Sequence, residues 1–228
     1  MGAAWLAAAL VAYNAAANRW KPFHSWAYLP ANLTLAAAVV WLGAAAFDLS
    51  AGEMGFRGGS IRVGAAIGVA LGVAAMVPVY AALGFERGRA LLRDRRLSGV
   101  RGAKAAFVLL VRIPIGTALV EETVFRGVLL GSAMSHGTAQ AVALSSVAFG
   151  LWHIVPTWIL ARKNRLNVAV VPAGVVVTGA AGAFLAWLRI ETGGIAAPVA
   201  LHVLVNSPAA AAAMIALRLP AASRGPSR

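Results

Sequence analysis

Long, nearly continuous apolar runs alternate along the chain with short segments rich in charged residues, proline or glycine. A helix needs about 20 predominantly apolar residues to cross the hydrocarbon core of a bilayer. Most of the runs approach or exceed that length, so the pattern predicts about seven helices. They are expected near 3–17, 29–48, 60–83, 113–134, 138–158, 167–188 and 195–217.

The runs are rich in alanine and leucine and lack the alternation, over about ten residues, of outer-membrane barrel strands. The first run is short but has no basic segment before it, so we interpret it as a helix and not as a cleaved signal peptide.

Gly64, Gly68 and Gly72 recur every four residues and predict close packing of the third helix on a neighbour. The predicted fold class is all-α, a polytopic transmembrane bundle forming a single integral-membrane domain over residues 1–228.

Composition agrees with this pattern. Hydrophobic residues make up 61% of the 228 and charged residues only 12%, against about 25% charged in an ordinary soluble domain. Cysteine is absent, which excludes disulfides, thiolate metal ligands and a cysteine nucleophile.

The net charge is +13, but it does not indicate nucleic-acid binding, because the Lys and Arg residues are concentrated in the loops on one side of the predicted membrane bundle. Fifteen of the twenty Lys and Arg residues fall in loops on one side of a seven-helix arrangement and three on the other. By the positive-inside rule, this chain is expected in the cell membrane with its N-terminus outside and its C-terminus in the cytoplasm. Residues 85–104 are expected to lie against anionic headgroups, and residues 218–228 form a short basic tail.

Few ionisable residues lie inside the predicted helices. Of seven carboxylates, only Glu121 and Glu122 are deep in an apolar run, and they are joined there by Arg126, His153 and His202. Ionisable residues within a membrane are candidates for function by default.

Helical spacing groups these residues. Glu122 and Arg126 are i,i+4 neighbours that can form an ion pair, whereas Glu121 points about 100° away from Glu122. His202 and Asn206 share one face of the last helix. A carboxylate, two imidazoles and an amide from three helices are therefore expected to converge on an intramembrane cavity. There a carboxylate and a histidine can activate water, and a histidine with an asparagine can stabilise an oxyanion.

Other interpretations remain open at this point. The Glu122–Arg126 pair can simply hold helices together, and a histidine on an apolar face is often a packing residue. Buried Glu, Arg and His also mark ion paths, although no inverted repeat or pair of broken helices supports a transporter. There is no H-E-x-x-H motif, both aspartates lie outside the helices, and Ser145 and Ser146 lack a nucleophile elbow.

Three motifs follow one another on successive apolar segments. They are "EETVFR" at 121–126, "FGLWH" at 149–153 and "HVLVN" at 202–206. In this order and spacing they resemble the CPBP family of intramembrane proteases, which includes type II CAAX prenyl endopeptidases and Abi proteins. The motif-bearing core is expected over 105–217, and "GEMGFR" at 52–57 faintly resembles an element that precedes this core in the family.

The resemblance implies that Glu121 and His153 activate the hydrolytic water, and that His202 and Asn206 stabilise the oxyanion. The implied activity is cleavage of a peptide bond in a membrane-associated polypeptide. The alternative is a non-catalytic membrane protein of the bacteriocin-immunity type.

Three further residues have supporting roles in this resemblance. The resemblance implies that Glu122 and Arg126 hold the motif helix in place, and that Phe149 is a supporting residue. No cofactor is expected; if a metal were used, the implied zinc ligands are Glu121, His153 and His202. Against zinc, no helix carries a close-spaced pair of ligands.

Overall fold

The computed structural model describes residues 2–57 and 61–220. It is 82% helical, and the described residues contain no strand. The helices, numbered in chain order, are α1 Gly2–Ala17, α2 Tyr28–Ala46, α3 Ile61–Ala82, α4 Glu86–Leu92, α5 Gly102–His136, α6 Thr138–Trp152, α7 Ile154–Asn164, α8 Val170–Thr192 and α9 Ala196–Arg218.

Six helical segments are long and apolar enough to cross a membrane, with mean hydropathies of 1.5 to 2.0. They are α2, α3, α5, the combined α6 and α7, α8 and α9, while α1 is apolar but only 16 residues long. The chain is a multi-pass membrane protein, and the predicted all-helical bundle is confirmed. Two predicted helices were too short. The fourth begins at Gly102 and not near residue 113, and the fifth, predicted to end near residue 158, continues as α7 to Asn164.

Much of α5 is wound as π-helix, over Val108–Leu119 and Glu122–Leu129. In such a helix the N–H of residue i+5 bonds to the carbonyl of residue i. Pro114 has no N–H, so the carbonyl of Leu109 has no π-helical donor. The hydroxyl of Ser207 on α9 donates to that carbonyl at 2.9 Å. This bond joins the two helices that carry the first and third motifs.

The glycines of α3 form a close contact with α9. Gly64, Gly68 and Gly72 are all buried. A Cβ atom at Gly68 would overlap the carbonyl oxygen of Ala197, and one at Gly72 would overlap the side chain of Leu204. The predicted close packing of the third helix is therefore confirmed.

The second half of α5 lies at the centre of the bundle. Its apolar side chains are almost completely buried among residues of α1, α2, α6 and α8. The segment 52–57 packs on the same helix: a Cβ atom at Gly127 would lie 3.1 Å from the Met54 carbonyl oxygen, and one at Gly131 would lie 2.9 Å from that of Glu53. The first motif thus lies on the best-packed part of the chain.

The polar segment after α3 is tied to two helix ends. Arg93 donates to the carbonyls of Ala216 and Leu219 at 3.0 Å each, which satisfies free acceptors at the C-terminus of α9. Asn164, at the end of α7, donates to the Asp94 carboxylate at 3.1 Å. Burial acts to raise the pKa of Asp94, but the hydrogen bonds and positive charge of Arg96 bring that pKa below its usual value.

The predicted basic tail, 218–228, falls outside the described residues beyond Pro220. This includes two of the cations, Arg224 and Arg228, that entered the predicted charge asymmetry.

Candidate active site

The three motifs meet inside the bundle. Glu121, Glu122 and Arg126 come from α5, Phe149 and His153 from the end of α6, and His202 from α9. Glu122 and Arg126 are completely buried, and Glu121 and His202 are 6% and 8% exposed. The predicted convergence of side chains from three helices is therefore what the structure shows for these residues.

Glu122 is the acceptor that joins α5 to α9. Its Oε1 accepts a hydrogen bond from Arg126 Nη1 at 3.3 Å and a shorter one from His202 Nδ1 at 2.7 Å. An ionised carboxylate has no proton to donate, so the Nδ1 atom of His202 must carry the hydrogen. The predicted Glu122–Arg126 ion pair is present, and its carboxylate also orients the histidine.

Arg126 links the same cluster to two further helices. Its Nη2 donates to the carbonyl of Gly182 on α8 at 3.2 Å. The guanidinium carbon lies 4.0 Å from the centre of the Phe149 ring, a distance at which a cation is attracted to the π face. A Cβ atom at position 182 would lie 3.2 Å from Nη2, so glycine lets α8 approach the arginine.

Glu121 has a partner that the sequence did not reveal. The indole N–H of Trp152 donates to its Oε1 at 3.2 Å. Its Oε2 lies 3.9 Å from His202 Nε2, too far for a direct hydrogen bond, and accepts none from any described residue. The signal available in the sequence was an indole beside His153 in "FGLWH", since a buried Trp N–H usually has a hydrogen-bond acceptor.

His153 lies at the break between α6 and α7. Its Nδ1–H donates to the carbonyl of Phe149 at 2.7 Å, and the two rings are 4.6 Å apart. Within the described ranges it makes no hydrogen bond or ion pair with Glu121. The two residues expected to activate the same water are therefore not in direct contact, although Phe149 contacts the rings of both His153 and His202.

Asn206 lies one turn beyond His202 on α9 and is half-buried. Its side-chain amide makes no hydrogen bond to the part of the chain that the structure describes. Its amide is therefore free to bind another molecule.

Two carboxylates face two groups that can be cationic. Glu121 and Glu122 lie around His202 and Arg126, with Arg126 charged at all relevant pH values. If His202 is protonated, the four groups have no net charge. Such neutrality lowers the cost of placing them in an apolar interior.

The alternative zinc site does not fit this arrangement. Among residues 2–57 and 61–220, no three His, Asp or Glu side chains are placed so that they could hold a metal ion together. The hydroxyl of Ser145 is engaged in the structure, because it donates to the Phe125 carbonyl at 2.9 Å. This bond joins α6 to α5.

Comparison with known proteins matches one segment of the chain to a family. Residues 103–208 match the model of the Rce1-like family, described as type II CAAX prenyl endopeptidase Rce1-like. The match covers just under half of the chain and includes all three motifs. No curated protein and no solved structure matches significantly. Residues 103–208 thus match an Rce1-like domain, and this match agrees with the resemblance to the CPBP family that the three motifs predicted.

Proposed function

We propose that this protein is an intramembrane endopeptidase that hydrolyses a peptide bond of a membrane-associated polypeptide. The Rce1-like domain indicates a protease. The observation that carries the finer proposal is the Glu121 carboxylate, buried in an apolar bundle and held by one oxygen. Its other oxygen faces His202 Nε2 at 3.9 Å, a gap that a hydrogen-bonded water can bridge.

In the proposed reaction, Glu121 Oε2 accepts a proton from water as the water oxygen attacks the carbonyl carbon of the substrate. Because Nδ1 of His153 carries its hydrogen toward the Phe149 carbonyl, Nε2 has the free lone pair and can share the role of base. The accepted proton then passes to the leaving amine as the C–N bond breaks. One water is consumed, and a carboxylate and an amine are formed.

The negative charge that develops on the carbonyl oxygen needs donors. His202 in its protonated form has a second N–H, at Nε2, that is free to donate, because Nδ1–H is already bound to Glu122. The side-chain amide of Asn206, which has no partner among the described residues, is the second proposed donor.

We propose that the reaction needs no metal. The support is geometric: within the described ranges, no three acidic or histidine side chains are placed so that they could hold one metal ion together. The non-catalytic immunity-type role is not favoured, since the matched family is one of endopeptidases.

The proposed membrane orientation has the C-terminus in the cytoplasm. On that side the segment 85–104 combines cations with exposed apolar residues, Phe85 at 68% and Leu91 at 88% exposure. This combination suits a surface at anionic headgroups. The substrate class we propose is a polypeptide held at the same membrane, with prenylation of that substrate as the first variable to test.

The direct test is cleavage of membrane-anchored peptides, with and without a prenyl group, by the purified protein in lipid nanodiscs. Glu121→Ala and His153→Ala should each abolish detectable cleavage. Glu191→Ala and His24→Ala, which change exposed residues of the same types, should cleave at the wild-type rate. Cleavage by both site variants at the wild-type rate would overturn the assignment.

A second arm of this assay addresses the metal. Cleavage by the wild-type protein should be unchanged after prolonged treatment with a strong chelator. Loss of cleavage that returns on addition of Zn²⁺ would contradict the metal-free proposal while leaving the protease assignment in place.

A further inference from the structure

Trp152 makes the only hydrogen bond that Glu121 accepts from a described side chain. It is the last residue of α6, immediately before His153, and only 5% of it is exposed. Its Nε1–H donates to Glu121 Oε1 at 3.2 Å. A donor on one carboxylate oxygen fixes the plane of the group, and here it leaves Oε2 on the side of His202.

The indole ring itself has little freedom to move. It stacks on Tyr13 of α1, with ring centres 6.2 Å apart and planes inclined by 16°. Its edge meets Phe125 of α5, with ring centres 5.5 Å apart and planes at 79°. The ring therefore lies between helices α1 and α5, and its N–H has a fixed direction.

The backbone of Trp152 is held from α1 as well. In a continuous α-helix, the N–H of residue 156 would donate to the carbonyl of residue 152. Pro156 has no N–H, so this buried carbonyl needs another donor. Asn14 supplies it, because its Nδ2 donates to the Trp152 carbonyl oxygen.

Asn14 is itself oriented and buried. It is 4% exposed, and Asn18 donates to its side-chain oxygen at 2.9 Å. With its oxygen occupied in this way, the amide nitrogen is directed toward Trp152. One turn of α1 thus provides both a ring that packs on the indole and an amide that fixes its backbone.

We infer that Trp152 is a positioning residue for Glu121, and that α1, which lies outside the Rce1-like domain of residues 103–208, holds it in place. This inference rests on the proposed role of Glu121 as the base that activates water. A carboxylate that is free to rotate spends less time with Oε2 directed at the attacking water. The indole N–H thus raises the rate of the chemical step without contacting the substrate.

The sharpest test removes the N–H and keeps the ring. Nonsense suppression can replace Trp152 with 3-benzothienylalanine, in which sulfur takes the place of the N–H group. Loss of this hydrogen bond to a charged group should lower kcat about tenfold or more, which corresponds to about 1.4 kcal/mol or more in the activation free energy. KM should stay within about twofold, because substrate contacts are unchanged. The same replacement at Trp41, which is 69% exposed on α2, should leave both constants at their wild-type values.

Asn14→Leu gives an independent test at the level of α1. Leucine has the same branching and the same number of side-chain heavy atoms as asparagine, but it cannot donate to the Trp152 carbonyl. We expect a fall in kcat, again with KM unchanged. In the Trp152 analogue the further effect of Asn14→Leu on kcat should be much smaller, since both changes act through the same indole N–H. Equal effects of Asn14→Leu in the two backgrounds would show that α1 does not act through Trp152.

Different results would contradict the proposed function and the positioning role of Trp152. If Glu121→Gln retains cleavage, the proposed function is wrong. If Glu121→Gln abolishes cleavage but the Trp152 analogue keeps kcat within twofold of wild type, only the positioning role is wrong. A rise in KM with unchanged kcat would also overturn it, because it would indicate a substrate-binding role for the indole. If either variant fails to fold, the other provides the same comparison of kcat with KM.

Discussion

Replacing Arg126 with methionine should strongly destabilise the protein, because it leaves a buried carboxylate without its permanent counter-charge. Arg126 and Glu122 are both completely buried, with a closest N–O distance of 3.3 Å. Arg126→Met also removes the bond to the Gly182 carbonyl and the contact with Phe149. Methionine retains an unbranched apolar chain, so the lost charge dominates the lost volume.

The size of the effect follows from that geometry. Removing one partner of a buried ion pair typically costs about 3 to 5 kcal/mol. His202 also donates to Glu122 and partly compensates its charge, so the lower end of this range, about 3 kcal/mol, is expected. A domain of ordinary stability, about 5 to 15 kcal/mol, would lose a large share of it.

A double variant separates charge from packing. In Glu122→Leu/Arg126→Met neither member of the pair is charged, and such apolar replacements are often neutral. We expect it to recover at least half of the stability lost in Arg126→Met. The double variant should not cleave the substrate, because His202 Nδ1 then has no carboxylate acceptor. This outcome would assign the pair a role in orienting the histidine as well as in folding.

The measurement is the free energy of unfolding by SDS titration in mixed micelles, alongside the cleavage assay. Arg112→Met is a suitable control, since Arg112 also lies in α5 and, among the described residues, its side chain has a contact with the face of Tyr28 at 4.0 Å but no ion pair. It should cost about 1 kcal/mol or less. The reasoning is refuted if Arg126→Met is no less stable than this control, or if the double variant is less stable than Arg126→Met alone.

Three further predictions follow from other contacts. Asn206→Ala should lower kcat by about 10²- to 10³-fold, the usual effect of losing an oxyanion donor, and an unchanged kcat would remove Asn206 from the site. Gly68→Ala should cost about 1 to 3 kcal/mol through overpacking, whereas Gly179→Ala, whose new Cβ would lie 3.5 Å from its nearest neighbour, should cost nothing; equal stabilities would contradict the close helix contact. Because the pKa of Asp94 is lowered in the folded protein, its stabilising contribution is complete above the unfolded value of about 3.9 and disappears as the pH falls through the folded value. Asp94→Asn keeps a side-chain cap but removes the charge beside the partly exposed Arg96, so it should lower the unfolding free energy at neutral pH by about 1 kcal/mol or less. It should also flatten the loss of stability in acid, and an unchanged acid profile would contradict this.

The hydrophobic pattern was sufficient to predict the helices, because each apolar run is bounded by charges, proline or glycine. It was weakest where a helix continues into polar surroundings. The first residues of α5 include Lys104 and follow a basic loop, so the predicted helix began only near residue 113. Similarly, α7 extends through Arg162 and Lys163. Length alone does not show where a helix leaves the membrane.

Spacing within one helix grouped the candidate site residues, but it did not show how they meet across helices. The i,i+4 rule gave the Glu122–Arg126 pair correctly. It could not show that His202 hydrogen-bonds Glu122 at 2.7 Å while lying 3.9 Å from Glu121, because that depends on the rotation of α9 against a π-wound α5. The Trp152 contact was missed for a similar reason, since its direction is set by α1 and by the break that accompanies Pro156.

The glycine contact between α3 and α9 restricts how a substrate can enter. Along Gly68 and Gly72 the two helices approach so closely that a methyl group would overlap the α9 backbone or the Leu204 side chain. A gap too narrow for a methyl group does not admit a peptide, so this side of His202 is closed to polypeptides diffusing in the bilayer. Because α9 is also joined to α5 through Ser207, its lateral displacement would break contacts on both flanks. The route by which a substrate would reach the Glu121 carboxylate must therefore open elsewhere on the perimeter of the bundle.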